Sequence, residues 1–183
     1  MGNPFFPVFI DISDKKILVV GDGQIAVRRV QTLLRFGADV TVIAPEAREE
    51  IRELAEKEII CWITKEFCDS DITEASENHW YMVLATTDKP EVNEQIVRVC
   101  RKKAILSNRS DKKEDCDFYF PSVTEVEGVV IGMNSGGTDP GRVKAVRQKI
   151  EKTFSVPSSV MEEKTCYTRK KYQNNLEDVS NGK

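Results

Sequence analysis

The clearest chemical pattern in the chain is a pair of glycines that follows a short apolar run. In the segment KILVVGDGQIA, residues 16–26, Gly21 and Gly23 are followed by Ala26 in a G-x-G-x-x-A pattern. The first glycine suits a tight turn, and the second lets a pyrophosphate approach the backbone, while the small third residue allows close helix–strand packing. This combination predicts a nicotinamide dinucleotide cofactor, and a purely structural glycine turn is the alternative.

A helix is predicted directly after the glycine turn. Apolar residues recur at helical spacing from Gln24 to Phe36, and Gly37 is a typical residue at the end of a helix. The backbone N–H groups of Gln24 and Ile25 open this helix. We therefore expect them to face the pyrophosphate, where the helix dipole also favours negative charge.

The end of the second predicted strand, Asp39–Ile43, bears on the choice of cofactor. Many dinucleotide-binding domains carry an acidic side chain here for the ribose hydroxyls, whereas this chain has Ala44, Pro45 and Glu46. No basic residue directly follows the strand to accept a 2′-phosphate, which favours NAD over NADP. Glu46 is either a residue near the ribose or a carboxylate in the first turn of a helix.

Two threonines end a later predicted strand and are further candidates for cofactor binding. Thr86 and Thr87 follow the apolar run Tyr81–Ala85, at the edge where parallel sheets bind ligands. Asp88, which comes next, is expected to cap the following helix.

The wider pattern alternates strands and helices, which is typical of an α/β fold with a Rossmann-like parallel sheet. An edge strand or an apolar lead-in is predicted first, over Phe5–Ile10, where prolines limit its pairing. The five sheet strands are predicted over Ile17–Val20, Asp39–Ile43, Ile59–Ile63, Tyr81–Ala85 and Ala104–Leu106. The helices between them are predicted over Gln24–Phe36, from Pro45 to about Lys57, within Cys68–Asn78 and over Lys89–Lys103.

The pattern changes in the last third of the chain. Short strands are predicted over Phe118–Pro121, Ser122–Val126 and Val129–Met133, followed by a helix over Asp139–Phe154. We therefore divide the chain into a dinucleotide-binding domain (1–113), a small antiparallel and helical dimerisation segment (114–155), and a polar tail (156–183) that is expected to be mobile.

Composition argues against several classes of function. The 183 residues carry a net charge of −3, which disfavours a general nucleic-acid binder. No apolar run approaches the roughly 20 residues of a membrane span, and the N-terminal residues do not resemble a secretion signal. The five cysteines are never spaced C-x-x-C, which fits free thiols in a cytoplasmic protein. The single histidine, His79, gives no further reason to expect a resident metal.

Four segments together resemble the precorrin-2 dehydrogenase family, the dehydrogenase and often ferrochelatase part of siroheme synthases. They are, in order, the stretch from FFPVFIDISDKKILVVGDG to VIAPE, then LATTDKPEVN, SNRSDKKEDCDFYFPS and NSGGTDP. The resemblance covers residues 5–154. It implies oxidation of precorrin-2 to sirohydrochlorin with NAD⁺ as hydride acceptor, insertion of Fe²⁺ into the product in some members, and a homodimer.

The resemblance also implies the residues of the substrate site. Asp111 matches the family's key aspartate, which would take a proton or position the ring. Asn108 is expected to orient the site, and Ser135 with Gly136 to bring the backbone close to a bulky ring. The family often shares the A-P-E sequence, so the ribose contact would come from the backbone of Pro45 and Glu46. Precorrin-2 carries many carboxylates, and the candidate cations for them are Arg28, Arg29, Arg109, Lys112 and Lys113.

Other interpretations stay open at this point. Asp111 could be a solvated loop residue, and the glycines near Ser135 could be a turn that caps the last helix. The family usually continues into a further helical region, whereas residues 155–183 are short and polar, so we expect a stand-alone dehydrogenase with iron insertion undecided. A nucleotide-sensing Rossmann module and a non-catalytic tetrapyrrole-binding protein are the competing classes.

Overall fold

A five-stranded parallel sheet forms the centre of the computed structural model, which describes residues 5–73 and 79–154. The strand order is β3-β2-β1-β4-β5, so the chain returns across β1 after β3. The strands are β1 Lys16–Val20, β2 Asp39–Ile43, β3 Cys61–Ile63, β4 Met82–Ala85 and β5 Leu106–Arg109. The helices between them are α1 Gln24–Arg35, α2 Glu49–Glu56, α3 Ser70–Thr73 and α4 Pro90–Lys102.

Each face of the sheet is covered by its own apolar cluster. Ile17 and Val19 pack on the face that carries α1, whereas Leu18 and Val20 pack on the face that carries α4. All four side chains are at most 2% exposed. A central parallel strand buried on both faces reads as a continuous apolar run, which is why this segment was recognisable in the sequence.

The last described elements form a small unit beside the sheet. Strands β6 (Ser122–Val126) and β7 (Val129–Met133) pair antiparallel, and helix α5 (Pro140–Thr153) follows. Glu127 and Gly128 make the turn between the strands, both with positive φ. The predicted α/β class with a small antiparallel extension is confirmed. The predicted tail, 156–183, lies outside the described residues.

Two segments considered as strands, the first of them alternatively as an apolar lead-in, form no strand in the structure. Phe5–Ile10 forms no strand, and its apolar side chains are exposed apart from a stacked contact of Phe5 with Tyr119, whose ring centroid lies 3.9 Å away. Proline lacks the N–H that a ladder needs, which disfavours pairing here. Phe118–Pro121 also forms no strand, and its two phenylalanines pack against the α1-side cluster.

Several predicted boundaries were wrong by a few residues. The second helix begins at Glu49 and not at Pro45, so Pro45 and Glu46 lie in the loop after β2. The fifth strand covers Leu106–Arg109 and not Ala104–Leu106, because Ala104 has a positive φ of 55° and belongs to the turn after α4. The later start places Asn108 inside the strand.

Candidate active site

The carboxyl edge of the sheet opens into a cleft between the ends of β1, β2 and β4. Strands β1 and β4 are neighbours in space but not in sequence, which makes this the switch point where open α/β sheets bind ligands. Lys89 Nζ and Glu66 Oε1 form an ion pair of 3.1 Å across exposed loops at its rim. The cofactor cleft, as we call it, is lined by Val20, Gly21, Asp22, Ile43, Ala44, Pro45, Lys65, Glu66, Phe67, Thr87, Asp88, Lys89 and Val92.

Gly21 is required by the fold itself. Its φ is +112°, and a Cβ at this position would lie 2.8 Å from the backbone carbon and oxygen of Thr86. Backbone cannot yield as a flexible side chain can, so β1 and the loop after β4 approach this closely only with glycine between them.

Gly21→Ala should therefore destabilise the protein. Backbone strain and overpacking each cost about 1–3 kcal/mol, so we expect a loss of about 2–6 kcal/mol in the free energy of unfolding, measured by urea denaturation. A loss below about 0.5 kcal/mol would contradict the proximity of these two loops.

Gly23 is different, because nothing in the fold requires a glycine there. Its φ is −64°, and a Cβ would meet no atom within 4 Å. The residue is the N-cap of α1, whose first turn has no side-chain cap and no acidic residue. The first N–H groups of a helix have no intrahelical partner. The arrangement fits a pyrophosphate held by the backbone at Gln24 and Ile25.

The other predicted cofactor residues lie around the same cleft. Pro45 and Glu46 are exposed in the loop after β2. Thr86 is 5% exposed, and its hydroxyl donates to the Val20 carbonyl at 2.7 Å, so this side chain joins β4 to β1. Thr87 is half-buried and lines the cleft. Asp88 does not cap α4, since the N-cap is Lys89.

Asn93 connects the cofactor cleft to the predicted substrate residue. This buried side chain on α4 accepts hydrogen bonds from the Thr87 backbone N–H (3.1 Å) and hydroxyl (2.8 Å). Its amide nitrogen donates to the Thr87 carbonyl and to Asp111 Oδ1, both at 3.0 Å. Sequence reasoning gave Asn93 no role, although it is the last residue of the LATTDKPEVN segment and a polar residue at a buried helical position, which was a signal for it.

Arg109 clamps the carboxylate of Asp111. Its Nε and Nη2 donate to the two oxygens of Asp111 at 3.1 and 2.6 Å, and its Nη1 donates to Asp115 at 2.8 Å. The Arg109 side chain is 3% exposed, whereas that of Asp111 is 28% exposed. This guanidinium, together with the hydrogen bond from Asn93, holds the pKa of Asp111 below its usual range. Asp111 therefore presents an ionised carboxylate to the solvent side of the loop.

The remaining predicted substrate residues have structural contacts. Asn108 is 3% exposed and its amide donates to the Phe118 carbonyl at 2.7 Å, which fastens the segment after β5 to the strand. Ser135 Oγ accepts from the Asp139 N–H at 3.0 Å, and Asp139 caps α5. Gly136 is exposed, with a φ of +66° and open space at its Cβ position.

The turn that holds Ser135 lies beside the loop that holds Asp111. A Cβ at Gly137, which has a φ of +70°, would lie 3.2 Å from Lys113 Cδ. The structure therefore brings together two segments that are more than 20 residues apart in the sequence. Gly136 and Gly137 give this turn its two positive φ angles, and Ser135 and Asp139 accept hydrogen bonds from backbone N–H groups at the start of α5.

Metal-ligating side chains do not cluster in the part of the chain that the structure describes. Within 5–73 and 79–154, no three His, Cys, Asp or Glu side chains are placed to hold an ion, and His79 is exposed. Burial raises the pKa of the Cys100 thiol to about 12, so that it stays protonated. No helix over the same residues is long and apolar enough to cross a membrane.

Comparisons with known proteins agree with this geometry. The chain is 39% identical over 148 residues to the "Probable multifunctional siroheme biosynthesis protein HemA" of Ruminiclostridium josui, covering 80% of this chain and 28% of that protein. It is 32% identical over 176 residues to the "Siroheme synthase" of Mannheimia succiniciproducens, covering 96% of this chain and 36% of that protein. The chain thus spans well under two thirds of the length of these relatives, and they confirm the predicted resemblance.

A solved structure and a family model complete the comparison. The structure titled "SirC, precorrin-2 dehydrogenase" has a TM-score of 0.69 at 23% identity, covering 86% of this chain and 74% of that one, and shows the same fold. Residues 8–122 match the family model described as "Putative NAD(P)-binding". The cofactor class predicted from the glycine turn is thereby confirmed, and the chain belongs to this NAD(P)-binding family.

Proposed function

We propose that this chain oxidises precorrin-2 to sirohydrochlorin with NAD⁺ in siroheme synthesis, as a dehydrogenase of the reducing cytosol. The observation that carries the proposal is the network joining the cofactor cleft to the Asp111 carboxylate through Asn93. A nucleotide-sensing module needs the cleft but has no use for a clamped carboxylate beside it. The siroheme names of the relatives support the same substrate.

In this proposal, different residues of the chain bind the cofactor and position the substrate. NAD⁺, when bound, supplies the hydride acceptor for a two-electron oxidation. The backbone at the start of α1 would hold its pyrophosphate, and the loop at Pro45 and Glu46 would contact its ribose. Asn93 keeps the Thr87 backbone and Asp111 at a fixed separation, so the substrate ring would meet the carboxylate close to the cofactor.

Asp111 acts in this proposal as a fixed anion. Loss of a hydride leaves positive charge on the ring system, and a carboxylate already held in place stabilises that charge without reorganisation. The proton that must also leave the ring passes to solvent water, which completes the oxidation. Arg109 keeps the Asp111 pKa low, so the group takes up a proton poorly near neutral pH. Of the two roles considered from the sequence, proton acceptor and ring-positioning group, the clamp favours the second.

The decisive experiment supplies the purified protein with enzymatically made precorrin-2 and NAD⁺ without oxygen, and follows sirohydrochlorin and NADH by absorbance. We expect both products in equal amounts, with NAD⁺ preferred to NADP⁺. Tetrapyrrole binding without NADH would favour the non-catalytic binding protein, and nucleotide binding alone would favour the sensor. A preference for NADP⁺ would contradict the interpretation of Ala44, Pro45 and Glu46.

Iron insertion is a separate reaction in which Fe²⁺ is a substrate. Sirohydrochlorin and Fe²⁺, supplied directly without NAD⁺, test for it. A rate of siroheme formation above that without protein would add ferrochelation to the proposal, and an equal rate would limit the chain to dehydrogenation.

We also propose a homodimer formed through β6, β7 and α5. Helix α5 has no buried residue, and Val129, Val146 and Phe154 are 60%, 44% and 51% exposed. Apolar helix faces and strand edges left open in this way favour association, most often as a two-fold dimer. Light scattering at micromolar concentration is expected to give twice the chain mass of 20.7 kDa. The mass of a single chain would refute the dimer.

A further inference from the structure

Arg29, on the α1 side of the sheet, is half-buried and has one guanidinium nitrogen that is buried without a hydrogen-bond partner. Its Nη1 is buried and makes no hydrogen bond, while the guanidinium carbon lies 5.4 Å from the centre of the Phe120 ring. Burial lowers the pKa of Arg29 to about 10, so the group is still charged at neutral pH. The structure thus holds a partly desolvated positive charge.

The other candidate cations of the sequence are placed differently. The Arg109 guanidinium forms ion pairs with Asp111 and Asp115, and Lys112 Nζ pairs with Asp115 at 3.1 Å. Arg28 is exposed to solvent. Among these cations, over the described residues, only Arg29 has a buried guanidinium nitrogen that makes no hydrogen bond.

Arg29 lies beside the segment that follows the Asp111 loop. Its guanidinium faces the Phe120 ring, and Asn108 fastens that segment to β5 through the Phe118 carbonyl. Cys116 Sγ also accepts from the Arg109 N–H at 3.3 Å. The segment that Arg29 contacts is therefore fixed to β5, the strand that leads into the Asp111 loop.

A partly desolvated charge without a counter-ion lowers the stability of the fold. Moving a cation out of water costs several kcal/mol unless a counter-ion and hydrogen bonds compensate. Phe120 compensates in part through its ring face. An apolar side chain of similar length would fill the same space at lower cost, so the charge points to an anion that arrives with a ligand.

We propose that Arg29 binds a carboxylate side chain of the tetrapyrrole substrate, with the Phe120 ring supporting its guanidinium. The inference rests on the proposed function, because that function supplies a substrate whose rings all carry carboxylates. Arg29 selects for a carboxylated tetrapyrrole and orients it, while Asp111 acts on the ring.

The test measures binding, turnover and stability in matched variants. The probes are uroporphyrin III, a stable tetrapyrrole with carboxylates on every ring, in a fluorescence titration, and precorrin-2 in the NADH assay. Charge-assisted hydrogen bonds predict that Arg29→Met raises the uroporphyrin Kd and the precorrin-2 KM about 10- to 100-fold, with little change in kcat or in NAD⁺ affinity. Arg29→Lys should recover part of the loss, and Arg98→Met, at an exposed position of α4, should match the wild type.

Thermal unfolding separates this role from a structural one. If Arg29 is a binding residue, Arg29→Met should melt at or above the wild-type temperature, because the unpaired charge is removed. If the Met variant does not fold, Arg29→Gln, which keeps the polar length without the charge, replaces it. Unchanged Kd and KM would overturn the inference, whether or not the melting temperature falls.

The two proposals can fail separately. Arg29-dependent binding of uroporphyrin without NADH formation from precorrin-2 would refute the dehydrogenase and leave the carboxylate site standing. Normal NADH formation with an unchanged KM in Arg29→Met would refute the carboxylate site and leave the dehydrogenase standing.

Discussion

Asp111→Ala is expected to lower the rate of precorrin-2 oxidation about 10²- to 10⁴-fold, the range in which loss of a group at the reacting centre falls. The NAD⁺ affinity should change little, because Asn93 keeps its hydrogen bonds to Thr87 when Asp111 is absent. The measurements are single-turnover oxidation at saturating NAD⁺ and a separate NAD⁺ titration.

Glu114→Ala is the matched control, since this exposed residue lies in the same loop. Surface substitutions of this kind usually change stability by less than about 0.5 kcal/mol, and we expect normal turnover. Full activity in Asp111→Ala would remove the residue from the site.

The clamp by Arg109 has a consequence for the pH dependence. A carboxyl group whose pKa is lowered in the folded state stabilises the fold above its unfolded pKa, near 3.8, and this stabilisation disappears as the pH falls through the lowered value. The same lowered pKa keeps the Asp111 carboxylate ionised between about pH 5 and 8, so Asp111 should cause no acid loss of activity in this range in the wild type. Arg109→Lys keeps one positive charge but loses the two-point contact with Asp111. The pKa of Asp111 should rise in this variant, so that the loss of activity on the acid side begins at a higher pH.

Asp111→Asn distinguishes the two roles of the carboxylate. An amide keeps the size and some hydrogen bonds but carries no negative charge. A fixed anion predicts a loss close to that of Asp111→Ala, with no rescue at high pH. Full activity in Asp111→Asn would rule out both the anion and a base.

Gly23→Val should abolish measurable NAD⁺ binding while the fold survives. The Cβ position is open in the structure, so the protein itself tolerates the side chain, and the only atoms it would displace are those of the ligand. We expect an increase in the NAD⁺ Kd of at least about 100-fold, equivalent to roughly 2.8 kcal/mol, measured by calorimetry.

Gly132→Val controls for the loss of a glycine as such. Gly132 lies in β7, and a Cβ there would make only an ordinary contact of 3.8 Å with Pro121. A β-branched residue suits a strand, so NAD⁺ affinity should stay at the wild-type value. Equal NAD⁺ affinity in Gly23→Val and the wild type would refute the assignment of the pyrophosphate to this turn.

The sequence alone was sufficient for the parallel sheet and the glycine turn. Their signals are local: a strand buried on both faces must be apolar throughout, and a tight turn onto a helix must carry small residues. Gly21 and Gly23 were recognised together for that reason. Their different roles became clear only when Thr86, 65 positions after Gly21, was found against the first glycine and open space was found at the second.

The arrangement around Asp111 was decided by tertiary structure. Asn93 and Asp111 are 18 residues apart and meet only because α4 and β5 pack side by side. Arg109 was predicted as a substrate cation, yet β5 begins at Leu106 and pairs Arg109 with Ala85, which turns its side chain toward α4 and away from Asn108. Side chains alternate between the two faces of a strand, so the register of a single strand determines whether an arginine meets a ligand or a neighbouring carboxylate. That register depends on the pairing with β4, a contact that local sequence does not encode.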